Sequence, residues 1–284
     1  KSMNDSNIYL CSFASDDLKL SKFRFLDQAE KMNIYKKIKV FSHDNLNEKI
    51  KKQIKSFFDL NQKRLYGYAC WKSYIIKEYL TQIPKNSILQ YSDIGCEFNP
   101  KGFDRLKEYL NLCNKYNILT FQYKPPDKSF DPKLKYQRYF EYQYTKEDLF
   151  NFFDISNKNE HKYSEQIWSG TIFFKNNDYS NNILDKWSEL LNISNFIDDS
   201  ESKIENHEDF VEHRHDQSVF SLICKKNNIF SLSASECEWA EYANKRTWDH
   251  LYNYPIHAKR NKKYNFIKRF INRQKRNLNR LLNK

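Results

Sequence analysis

Apolar and polar residues fall in alternating blocks along the chain. Asn7 to Ala14 is a compact apolar run of the kind that forms a buried strand, and it breaks at Ser15-Asp16-Asp17. Leu18 to Met32 then places Phe23, Phe25, Leu26 and Ala29 at helical spacing, and Lys37 to Ser42 predicts a second strand. A strand, a helix and a strand in that order predict a parallel sheet with right-handed crossovers. Leu46 to Leu60 reads as a charged amphipathic helix. A second helix, with Trp71, Tyr74, Ile75, Tyr79 and Leu80 on its apolar face, runs to about Gln82. Pro84 closes it, and Ser87 to Tyr91 is the next strand, running out into Asp93, Gly95 and Glu97.

The second half continues the alternation. Pro100 to Tyr116 predicts a helix and Ile118 to Tyr123 a strand. Lys124 to Tyr144 holds three of the six prolines and reads as a long loop of the kind that covers a site. A short helix over Lys146 to Phe153 precedes a strand over Gln166 to Phe174. Gly170 inside that strand predicts close approach by a ligand or by backbone. A helix over Asn181 to Leu191, an exposed acidic stretch from Asp198 to Glu208, and a helix opened by Glu212-His213-Arg214-His215-Asp216-Gln217-Ser218 follow. Ile229 to Leu232 is a last short strand, and Tyr254 to His257 closes the body. The pattern contains no internal repeat and no low-complexity linker. It predicts one α/β domain over residues 1–257 and a tail over 258–284.

Charge sharpens that division. The formal net charge is +12, yet residues 258–284 carry eleven Lys or Arg and no acid, which leaves 37 basic against 36 acidic residues in the body. A general nucleic-acid binder carries its basic face on the folded domain, so no specific nucleic acid is expected as a partner. In the tail, Ile267, Phe270, Ile271, Leu278, Leu281 and Leu282 fall near one helical stripe, with Lys268, Arg269, Arg273, Lys275, Arg276 and Arg280 around it. That is the signature of a basic amphipathic helix lying on an anionic membrane surface. The same stripe would serve for packing on the body or for dimer formation. None of the six cysteines has CxxC spacing, which argues against a zinc site. Cys11, Cys70, Cys113 and Cys224 lie in apolar segments, as free core thiols in a reducing cytoplasm would. No signal peptide is visible, and no apolar run approaches the roughly 18 residues of a membrane span.

Four polar clusters sit at the edges of these elements: Arg64 to Lys72, Asp93 to Glu97, Trp168 to Gly170, and His213 to Gln217. Each has a plain account. Asp93 would cap a loop, Trp71-Lys72 would be packing plus a solvated charge, and His213, His215 and Asp216 would cap a helix. What points to a site is their common place at the edge of one open α/β sheet. No GxGxxG follows the first strand, so the classical dinucleotide fingerprint is absent.

Taken in order, Gly67-Tyr68 and Trp71-Lys72, Leu89-x-Tyr91-x-Asp93-x-Gly95-Cys96, the Gly170 strand and His213-Arg214-His215-Asp216-Gln217-Ser218 resemble bacterial glycosyltransferases of the GT-A fold. The nearest likeness is to those found with capsule and lipopolysaccharide genes, and it extends over about Ile8 to Arg260. The resemblance implies a Rossmann-like, mixed but mainly parallel sheet flanked by helices. It implies transfer of a sugar from a nucleotide-sugar donor to a surface glycan or lipid-linked glycan acceptor. Donor binding would fall to Ser12, Phe13 and Ala14 after the first strand, to Lys72, Tyr91, Asp93 and Gly95, and to Trp168, Ser169 and Gly170 around the sugar. Asp216, Gln217 and His215 would be catalytic. In an inverting enzyme Asp216 would be the general base; in a retaining one Asp216 or Gln217 would stabilise the oxocarbenium-like centre.

The Asp-x-Asp motif of such enzymes holds Mn²⁺ or Mg²⁺ against the leaving diphosphate. Here its third position is Gly95, so Asp93 would need Glu97 or a distant histidine, and His257 is the expected second ligand. With the tail on lipid, the enzyme would work in the cytoplasm at the inner face of the inner membrane. The two competing readings are a non-catalytic RNA-binding protein with a basic tail, and a sugar-phosphate transferase using the same edge acids and His215.

Overall fold

The computed structural model describes residues 7–61, 63–126, 131–155 and 159–260. The amphipathic tail stripe over 262–284 therefore lies outside the described residues. Strands β1 (Ile8–Phe13), β2 (Lys37–Phe41), β3 (Ile88–Ser92), β5 (Ile118–Gln122), β7 (Ile167–Lys175) and β8 (Ser231–Ser233) form one sheet, in the order β2-β1-β3-β7-β5-β8. Short strands complete the set: β4 (Glu97–Phe98) pairs with β11 (Ile256–His257), and β6 (Lys135–Tyr136) pairs with the hairpin of β9 (Ala240–Tyr242) and β10 (Lys245–Thr247). The fold is mixed α/β with a mainly parallel central sheet flanked by helices, as expected.

Both faces of the sheet are buried. Along β1, Tyr9, Cys11 and Phe13 face a core shared with the helices Glu48–Asp59, Lys72–Gln82, Asp178–Leu191 and Asp216–Lys226. Ile8 and Leu10 face the opposite core, closed by the helices Lys19–Lys31 and Phe103–Tyr116. This explains why the strands read as continuous apolar runs rather than as alternating ones. All six cysteines are buried free thiols. No helix among the described residues is long and apolar enough to cross a membrane.

One strand departs from the parallel expectation. β7 lies between β3 and β5 and runs antiparallel to both. It stays in register with β3 from Lys175 to Thr171, whereas against β5 the stretch from Phe173 to Trp168 spans only Leu119 to Phe121. The extra residues of β7 lie between Trp168 and Phe173. A bulge of this kind re-aims side chains at a sheet edge. Gly170 is needed there for a reason other than the expected ligand or backbone contact. A Cβ on Gly170 would lie 2.2 Å from the indole of Trp168, which folds back over it.

The Lys124 to Tyr144 stretch carries structure of its own. It contributes β6 and a helical turn at Glu141–Tyr144. At the other end of the body, residues 254–257 pack across the start of the Phe103–Tyr116 helix. A Cβ on Gly102 would come within 2.2 Å of the Pro255 nitrogen and the Tyr254 carbonyl carbon. Gly102→Ala should therefore lower the free energy of unfolding in urea by about 1–3 kcal/mol, the usual cost of overpacking. An unchanged midpoint would show that the 254–257 segment yields without cost.

Candidate active-site cleft

Two helix starts meet below the carboxyl end of β3. Lys72 is the first residue of one helix and Asp216 the first of the other. An acid suits a helix N-terminus and a cation does not, so Lys72 sits against the local preference. It is also 4% exposed. Its Nζ lies 2.7 Å from Asp216 Oδ2 and 3.4 Å from Asp93 Oδ1, and donates to the Ser169 hydroxyl at 3.3 Å. Burial alone would discharge the ammonium, but Asp216 and then Asp93 outweigh it, and its pKa is raised. Ser169 in turn donates to Asp216 Oδ2 at 2.9 Å, and the Tyr91 hydroxyl donates to Asp93 Oδ1 at 2.6 Å. Ser169 lies in the stretch of β7 that has lost its register with β5.

The loop after β3 is fixed from outside. The Asp93 amide donates to the Gly170 carbonyl and the Cys96 amide to the Asp93 carbonyl. Arg24 reaches across from the first long helix and donates to the carbonyls of Ile94 (2.6 Å) and Cys96 (2.8 Å). Nothing in the spacing of the sequence marks Arg24 for that task. Asp93 is left with its side chain 45% exposed while Lys72 and Asp216 are buried. The pair thus presents one accessible carboxylate backed by a buried cation.

Above the group opens a cleft of about 720 Å³. Phe13 and Trp71 stack at 4.1 Å on one side of it, with Tyr66 against Phe13 at 5.4 Å. The wall continues through an unusual backbone. Leu65, Tyr66, Gly67, Tyr68 and Ala69 all have positive φ, between 48° and 80°. The Tyr68 and Ala69 amides donate to the carbonyls of Arg64 and Leu65, which makes one left-handed helical turn. Each non-glycine residue there costs about 1–2 kcal/mol, and the surrounding core must hold it. Gly67-Tyr68, read from the sequence as part of a polar cluster, marks this turn.

Most residues expected at the site from the sequence come together in this cleft. Phe13, Lys72, Tyr91, Asp93, Gly95, Trp168, Ser169, His215, Asp216 and Gln217 all line it. Ser12 and Ala14 do not; both are buried within the sheet core. Gly170 lies beneath Trp168 rather than on the surface of the cleft. Gln217 donates to Gln166 at 2.8 Å. His215 binds the Ile197 carbonyl through Nδ1 at 2.7 Å, and its ring packs on Tyr68. His213 binds the Phe196 carbonyl through Nε2 at 2.7 Å. The two imidazoles thus satisfy the carbonyls that end the short Ser194–Ile197 helix, a structural task that capping logic explains.

The metal set expected from the sequence does not assemble. Among the described residues no group of three His, Cys, Asp or Glu side chains could hold a metal ion. His257 lies outside the cleft lining, with Nε2 against the carbonyls of Leu251 (2.9 Å) and Tyr254 (3.1 Å). Glu97 is paired with Lys259 at 3.0 Å. Asp93 already faces an ammonium and a phenol. One carboxylate beside a fixed cation is a poor donor set for Mn²⁺ or Mg²⁺.

No protein-family model matches the chain, and no curated protein matches it in sequence. Solved structures do match in shape. One is a glycosyltransferase involved in the glycosylation of the major capsid of PBCV-1, 11% identical, with a TM-score of 0.48 over 90% of this chain and 97% of that one. Another is mouse xyloside xylosyltransferase 1 in its apo form, 9% identical, with a TM-score of 0.40 over 82% of this chain and 87% of that one.

Two predictions follow from the geometry. Lys72→Met should cost about 3–5 kcal/mol of stability in urea titration, since it leaves Asp216 buried and unpaired, whereas Asp93→Asn should cost far less. Burial, and then the neighbouring His215, hold the His213 pKa down to about 3. The unfolded chain therefore binds the extra proton below about pH 6.5. His213 should contribute full stability above that pH and lose up to about 2 kcal/mol by pH 5. A His213→Asn chain that keeps the same pH slope would contradict this.

Proposed function

We propose that the cleft is the donor site of a glycosyltransferase, which moves a sugar from a nucleoside-diphosphate donor to a glycan acceptor. One observation carries this reading. A single buried ammonium draws Asp93 and Asp216 together at the floor of a cleft beside an aromatic wall, at the carboxyl edge of an α/β sheet. The cleft volume suits a nucleotide-sized ligand. Phe13 and Trp71 offer a flat face for the base. Asp93, half exposed and backed by Lys72, is the accessible carboxylate for sugar hydroxyls.

The acceptor hydroxyl oxygen bonds to the anomeric carbon as that carbon's bond to the diphosphate oxygen breaks, and the hydroxyl proton passes to the departing diphosphate or to solvent. Asp216 Oδ2 accepts from both Lys72 and Ser169, so its place is fixed before substrate arrives. It supplies negative charge beside the position where the sugar turns cationic. Gln217 is a neutral neighbour at the same helix start. No step is routed through a metal, because the donor set does not suit one. The order of motifs shared with capsule and lipopolysaccharide glycosyltransferases favours a surface glycan as acceptor. The basic tail favours work at the cytoplasmic face of the inner membrane.

The test is a thermal-shift screen of UDP-, GDP-, CMP- and dTDP-sugars on the full chain, followed by transfer assays with the stabilising donor. Asp93→Ala should keep its melting temperature within a few degrees and lose at least about 100-fold in transfer rate, the scale of one preorganised electrostatic group. A fully active Asp93→Ala chain would remove Asp93 from the mechanism.

A further inference from the structure

Arg214 is a cleft cation held by aromatic rings rather than by a carboxylate. Its guanidinium sits in the corner between the perpendicular rings of Tyr139 and Tyr144, with centroids 3.9 Å and 4.0 Å from Cζ. Its one ion-pair contact among the described residues is with Glu212, whose Oε1 is 3.9 Å from Nε, too far for a hydrogen bond, and the buried Glu238 feels its charge from farther off. Its side chain is 18% exposed and lines the cleft. Its own amide is tied to the Tyr144 carbonyl and the Ser218 hydroxyl, so both ends of the residue are held.

The other cations of the cleft are occupied differently. Lys72 is shared between Asp93 and Asp216, Arg64 pairs with Asp199 and Glu212, Arg260 reaches the buried Glu238 at 3.5 Å, and Lys63 is an exposed ammonium without a planar fork of donors. Arg214 alone combines rigid aromatic support with a fork of donors that meets no acceptor among the described residues. A planar guanidinium held in this way matches two phosphate oxygens at once and has lost little freedom still to lose.

We propose that Arg214 is the diphosphate receptor of this cleft and that, with Lys72 behind Asp93, it takes the place of a bound divalent cation. This rests on the reading of the cleft as a donor site. The leaving diphosphate gains its negative charge as the glycosidic bond breaks. Fixed Arg214 hydrogen bonds would stabilise that charge without a metal ligand set. Arg214 touches substrate in this account and is a catalytic residue. The poor donor set around Asp93 then follows from chemistry: a divalent ion there would face the Lys72 ammonium and gain too few ligands.

Calorimetric titration of the full chain with UDP, GDP, dTDP and inorganic pyrophosphate tests it, in EDTA and in Mn²⁺. At least one nucleoside diphosphate should bind in EDTA with an affinity that Mn²⁺ does not raise. Arg214→Gln should weaken that binding about 10- to 100-fold, the loss of a charged hydrogen-bonding fork. Arg214→Lys, which keeps the charge without the fork and serves if the Gln chain melts early, should fall between the two. Binding that requires Mn²⁺, or binding equal in both Arg214 variants and the unaltered chain, would overturn the inference and leave the donor site standing. Failure of every nucleoside diphosphate to bind under either condition would overturn the donor-site reading with it.

Discussion

The buried ion pair of Lys72 with Asp216, extended to Asp93, is the constraint around which the rest of the molecule is arranged. It joins two helix starts, the end of β3 and the irregular stretch of β7 in one group. Each participant breaks a local rule to get there. Lys72 is a cation at a helix N-terminus and is buried. β7 gives up its register with β5. Four non-glycine residues before Lys72 take left-handed backbone. Such conflicts are tolerated where function requires a fixed geometry, and the large core on both sides of the sheet offsets them.

Much of this was legible in the sequence, for identifiable reasons. A sheet buried on both faces leaves continuous apolar runs, so β1, β2, β3, β5 and β7 could be placed to within a residue or two. Asp93, Lys72 and Asp216 stood out because polar residues ended those runs. Strand direction was not legible, since the pattern of β7 is the same whichever way it runs. The left-handed turn was hidden because only Gly67 among its five residues announces it. Gly170 was read as room for a ligand or backbone, whereas the space is taken by the side chain of Trp168 two positions earlier. His215 was expected to be catalytic from the resemblance, yet its ring, like that of His213, is held by a carbonyl of a four-residue helix too short to find from periodicity. Arg214 lay in the motif without a role, because its role depends on Tyr139 and Tyr144, some seventy residues away.

Charge in the cleft is balanced within the protein. Its acids are neutralised by side chains built into the fold, and its remaining guanidinium is held rigid by aromatic rings. Such a site is preorganised: the dipoles and charges are in place before the ligand, so little reorganisation is needed when charge moves. The arrangement also links the site to the strand pair β4–β11. Arg24 clamps the loop that carries Asp93 just before β4, and Arg260 enters the cleft just after β11, with the buried Glu238 beside it. Burial raises the pKa of Glu238, an effect that Arg260 partly offsets.

The most direct measurement is the crystal structure of the full chain bound to the nucleoside diphosphate that stabilises it most. The diphosphate should sit on the Arg214 guanidinium, with the base against Phe13 and Trp71 and the sugar toward Asp93. Density for the diphosphate anywhere else on the molecule, with this cleft left empty at saturating ligand, would contradict it.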